Sequence, residues 1–88
     1  MATQSPIRRY AVVQEKEWVE NEIVAAIKAH RNVELDLINE SGVQHVSFRV
    51  HSTEHDDQGS LFIGIMPDHH TINIRIVKDG EVFALLSN

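Results

Sequence analysis

No cysteine occurs in the chain. That excludes a disulfide framework, a thiolate nucleophile and a cysteine-ligated zinc. Glycine is scarce, with four residues scattered singly at turns or within a strand, so no glycine-rich phosphate loop exists. Basic residues are few: eight Lys and Arg face thirteen Asp and Glu, for a net charge of −5. A general nucleic-acid binder needs the opposite balance, because displacing counterions from phosphates takes a surplus of Lys and Arg. The acidic surplus permits a basic partner and keeps a small protein in solution. No basic start runs into a long apolar stretch, so neither a signal peptide nor a membrane helix is expected, and a reducing, cytoplasmic home is. HExxH, GxSxG and recognisable carboxylate pairs are also missing, and no catalytic activity, metal or cofactor is expected.

What remains is one small domain of 88 residues. By size scaling it buries roughly 60–65% of the surface its unfolded chain would expose. The chain is organised around its last third, where LFIGIM, TINIRIV and EVFALL are separated by PDHH and KDG. Apolar runs rich in Ile, Val, Leu and Phe between turn residues read as antiparallel strands. Ile72, Ile74 and Ile76 alternate with Thr71, Asn73 and Arg75, giving one apolar and one wet face. Leu61, Phe62, Ile63, Ile65 and Met66 offer apolar groups on both faces, which suits a central strand. Asp79-Gly80 suits a type I′ hairpin.

Upstream, residues 1–6 read as a flexible tail and 7–88 as the folded unit. Ile7–Val13 suits a short strand or an extended lead-in, with Arg8 and Arg9 at its outer end. Glu15–Arg31 is the one convincing helix: Val19, Ile23, Ala26, Ile27 and His30 share a stripe at 100° per residue. Glutamates crowd its start and Lys28 and Arg31 its end, as the helix dipole favours. Asn32 suits a left-handed stop, and no clear N-cap precedes the helix. His30 is expected to be a core histidine whose ring reaches a backbone carbonyl.

Val33–Ile38 and Val43–His51 alternate as half-buried strands around the turn Asn39-Glu40-Ser41-Gly42. Ser52–Gly59 carries no apolar residue and reads as a loop. The fold class is therefore α+β: a single helix on a four- to six-stranded antiparallel meander sheet. That element order resembles the cystatin and monellin architecture, in which a sheet wraps a single helix. The resemblance implies the fold alone, since the chain has none of the cystatin motifs, such as the Gln-rich hairpin signature. In such a fold the first or last strand is an edge. Glu81–Leu86 carries one charge to discourage pairing, so homodimerisation through that edge is a candidate interaction.

Three groups of residues carry the functional expectations. Trp18 lies well away from the apolar stripe, beside Ala25 and Ala29. Either it packs against the N-terminal segment or a sheet edge, or it is an exposed anchor of the type that dominates interfaces. Acidic and histidine-bearing turns, with Glu54, Asp56, Asp57, Asp68, His69 and His70, could meet Lys and Arg of a partner. Imidazoles and carboxylates there would need to converge to hold a metal, but a meander places the two turns at opposite ends. On the wet face, His45, Ser47 and Arg49 on one strand and Thr71, Asn73 and Arg75 on another form rows roughly 9–10 Å apart. His45, Arg49, Asn73 and Arg75 are thus a candidate face for an anion or other ligand.

Two functional readings follow. The first is a small acidic protein-binding module, an inhibitor, immunity-type or accessory protein covering a site on a larger basic partner. In size and charge the chain is similar to bacterial toxin-immunity proteins. The alternative is a small ligand- or metal-binding domain, or an enzyme, using the His and Arg residues. One helix on one sheet leaves little room for a substrate pocket of about 300 Å³ or more.

Overall fold

A computed structural model describes residues 7–87; the expected tail, residues 1–6, lies outside them. The order is β1 (Ile7–Val12), α1 (Lys16–Ala29), β2 (Val33–Asn39), β3 (Gly42–Asp56), β4 (Gly59–Ile65), β5 (Thr71–Val77) and β6 (Val82–Ser87). Every neighbouring pair is antiparallel, and the helix packs on the sheet, as its apolar stripe requires. The meander goes one step further than its sequence suggests. β6 also pairs with β1, from Ile7↔Ser87 to Ala11↔Phe83, and closes the sheet into a barrel. The expected free edge at Glu81–Leu86 is therefore covered on both sides within the chain.

Alternation fixes which side chains enter the barrel. Leu35, Leu37, Phe48, Ile72, Ile74 and Ala84 are fully buried, and Val19, Ile23 and Ala26 of α1 join them in one core. At about 25 cal/mol per Å², each large apolar side chain in that core is worth roughly 1.5–3 kcal/mol. Gly64 makes room for the largest of them. A methyl group there would lie 2.5 Å from the Phe48 ring and 3.0 Å from the Arg49 carbonyl. Among the described residues no helix is long and apolar enough to cross a membrane.

The closure is weakest between β1 and β2, which share only Ala11↔Ile38 and Val12↔Leu37. Gln14 lengthens this seam with its side chain. Its Oε1 accepts the Asp36 N–H at 3.1 Å, and its Nε2 donates to the Asp36 carboxylate at 3.0 Å. A primary amide has the donor and acceptor of a peptide group, so it substitutes for a strand residue.

β3 is the strand that changes partners. Residues 42–48 pair with β2, residues 49–56 pair with β4, and the register shifts between Val50 and Ser52. Ser52–Asp56, expected as a loop, is strand. Both of its faces see water, so it has no apolar period to reveal it, and the β4 ladder alone defines it.

Two turns differ from expectation and match each other. Gly80 N donates to Val77 O at 2.9 Å and Val77 N to Glu81 O at 2.8 Å. Only Gly80 in that turn has positive φ, so this is a three-residue loop closed by a glycine bulge rather than a type I′ turn. His69 N to Met66 O and Met66 N to His70 O, each 2.9 Å, repeat the pattern one hairpin earlier. There His69, at φ 71°, occupies the glycine position.

Candidate functional site

Trp18 is 47% exposed. Its position about 100° from the Val19–Ile23–Ala26 stripe puts it on the flank of the helix rather than in the core. Glu22 lies on the same flank and is locked by Arg31, whose two terminal nitrogens donate to its oxygens at 2.8 and 3.1 Å. The guanidinium holds the Glu22 carboxyl below the usual carboxylate range.

The acidic turns separate as the meander requires. Glu54, Asp56 and Asp57 sit at the β3–β4 tip, while Asp68, His69 and His70 follow the far end of β4. Seven residues of strand put roughly 20 Å between them. Two of these carboxylates serve their own turns. Asp56 accepts the Gln58 N–H at 2.8 Å and an Arg75 nitrogen at 3.1 Å, and both depress its pKa, the backbone bond first. Asp68 accepts the His70 N–H at 3.1 Å and faces His70 Nδ1 at 3.0 Å, which lowers it likewise. The Glu54 and Asp57 side chains are exposed and make no hydrogen bond or ion pair with the described residues. Among the described residues, no three His, Asp or Glu side chains are grouped to hold a metal ion.

The candidate wet face does not assemble as one site. Arg49 shares a row with Thr71 across Ile65, as expected, but Asn73 aligns with Ser52 and Arg75 with Glu54. His45 lies against β2, roughly 30 Å of strand from the Arg75 row. The reason is the change of partners along β3: β4 meets only its second half. His45 Nδ1 approaches Asp36 at 2.9 Å and its Nε2 approaches Glu34 at 2.9 Å. Two carboxylates, Asp36 foremost, raise the His45 pKa, and the imidazolium lowers that of Asp36. Arg75 is spent on Asp56, and Asn73 stands between Ile63 and Leu85.

The change of partners opens a groove on each side of β3. Each has a volume of about 350 Å³, so the expected lack of pocket space does not hold for this surface. One lies between β3 and the β4–β5 turn, lined by Gln44, His45, Ser47, Met66 and Asp68. The other lies where the end of α1 meets the β3 bulge, and Ile27, His30, Arg31, Arg49, Val50 and His51 line it.

His30 is not a core residue. It is exposed at φ 54° and ends the helix, with its N–H on Ile27 O at 3.3 Å and the Arg31 N–H on Ala26 O at 3.0 Å. That is a Schellman cap, and His30 rather than Asn32 takes the left-handed position. Asn32 instead joins the groove's two arginines. Its carbonyl accepts Arg31 at 3.2 Å, its Oδ1 accepts Arg49 Nε at 3.3 Å, and its Nδ2 donates to Ser47 Oγ at 3.2 Å. Sequence reasoning missed His30, Arg31 and His51 as neighbours, because only the bulge and the cap bring them together.

Compared with known proteins, the chain matches no family model, no curated protein and no solved structure.

Proposed function

We propose that the protein is a non-enzymatic binding module, an inhibitor, immunity-type or accessory protein that covers a site on a larger basic partner. The observation that carries this reading is Trp18, a large aromatic left 47% exposed on the outer flank of the one helix. Tryptophan offers 150–250 Å² of contact area at low entropic cost, and such residues anchor interfaces. Ala25 and Ala29 on the same flank, both exposed, leave space around the indole for a partner's side chain. Glu15 and Glu22 border it, and the chain's net charge of −5 favours a partner rich in Lys and Arg. The unpaired Glu54 and Asp57 at the β3–β4 tip add to that field, which raises association rates more than final affinity.

The test is capture from native lysate on the immobilised protein, with Trp18→Ala and a Glu54→Gln/Asp57→Asn double variant in parallel. A specific basic protein should be retained by the wild type. Trp18→Ala should weaken it by about 30-fold, the equivalent of a ~2 kcal/mol hot spot. The double variant should slow association and reduce its salt dependence. Capture indifferent to Trp18 would refute this surface.

A further inference from the structure

We propose that the groove between the C-terminal end of α1 and the β3 bulge binds a small organic anion: a carboxylate or phosphate head joined to a short apolar body. An acidic chain with eight Lys and Arg places two of them, Arg31 and Arg49, in this one groove, together with His30 and His51. Arg31 is paired with Glu22, whereas Arg49 faces no carboxylate among the described residues.

The arginines are held in place before any ligand arrives. Asn32 accepts Arg31 through its carbonyl and Arg49 through its side chain, and Glu22 grips Arg31 from the other side. Arg49 is bound through Nε, so its two terminal nitrogens have no acceptor among the described residues. A guanidinium with those donors free is the group that takes a carboxylate or phosphate. The floor is apolar. Ile27 is 42% exposed although it belongs to the helix's inward stripe, and Val50 is half-buried beside it. A volume near 350 Å³ falls at the small end of the range for ligand sites.

His30 adds an independent argument. Left-handed backbone costs a non-glycine residue roughly 1–2 kcal/mol, and glycine is the usual residue at this cap. The cap's backbone bonds offset part of that cost for any residue here, but the His30 ring makes no hydrogen bond to the described residues and adds nothing to them. His51 stands at the register shift, also without a partner. Strained or bulged backbone that presents unpartnered polar side chains to a groove is characteristic of binding sites. The negative end of the helix dipole does not oppose an anion strongly here, because the cap donates Arg31 N–H and His30 N–H to the terminal carbonyls. The groove is roughly 18 Å along the helix axis from Trp18, so it is a separate site.

Amide-resolved NMR titration of the whole chain with hexyl phosphate, hexanoate and inorganic phosphate tests this. Saturable shifts at His30, Arg31, Val50 and His51 are expected with at least one hexyl probe, and which one binds tells phosphate from carboxylate. Arg49→Gln should weaken that binding about tenfold or more, as loss of a charge-assisted hydrogen bond does, while Arg75→Gln leaves it unchanged. His30→Gly should raise the melting temperature and still weaken binding, which a purely structural histidine would not do. Absence of saturable shifts with both hexyl probes would overturn the proposal. So would inorganic phosphate binding as tightly as hexyl phosphate, or an Arg49→Gln variant that binds like wild type.

Discussion

His45 stands between Asp36 and Glu34 with both ring nitrogens facing carboxylates. Only the imidazolium can donate to both, so the folded protein favours the charged ring. The pH window follows from the two shifts. Because the His45 pKa is raised on folding, its contribution is complete below about pH 6.5, the unfolded value, and fades as pH climbs through the folded one. Because the Asp36 pKa is lowered, its contribution is present above about pH 3.9 and fades as pH falls through the folded value. The trio therefore stabilises most between those limits. Melting temperatures should decline from pH 6 to pH 8 more steeply in the wild type than in His45→Gln. Parallel curves would show that the ring does not charge. His69 supplies a second residue-scale prediction. It holds φ 71° where the matching hairpin has Gly80. His69→Gly should raise stability by about 1 kcal/mol in urea unfolding, and a loss would mean the ring makes contacts that outweigh the strain.

Among the elements, β3 does most to set the architecture. Its first half was legible from alternation, since Val46 and Phe48 point inward and His45, Ser47 and Arg49 outward. Its second half was not, because hydrophobic periodicity marks a strand only where one face is dry. The helix was legible through Val19, Ile23 and Ala26, yet its end was misread. Asn32 is the better left-handed residue by propensity, and the cap falls on His30. The Phe48–Gly64 contact shows what cannot be read from either strand alone. Gly64 is buried and opposite Val50, and Phe48 lies across it. Gly64→Ala should cost about 1–3 kcal/mol by overpacking, with the urea midpoint as the measure. An unchanged midpoint would mean that Phe48 has room to turn aside.

At the scale of the whole molecule, composition and period predict one helix on an antiparallel meander but not its closure. β1 and β6 lie at opposite ends of the chain, and alternation carries no information on which strands meet. Closure removes the edge on which self-pairing through β6 would rest, and it leaves the outer flank of α1 as the surface with a large aromatic on view. The candidate site was legible to the same degree. Trp18 stood out as a residue that the core did not need, whereas the groove depends on a bulge and a cap that no local pattern encodes.

Trp18 is the chain's one tryptophan, so intrinsic fluorescence reads the proposed contact surface with no competing indole. The free protein should emit close to the wavelength of a water-exposed indole and be quenched efficiently by acrylamide. A blue-shifted emission, shielded from acrylamide in the free monomer, would contradict the surface on which the binding-module account rests.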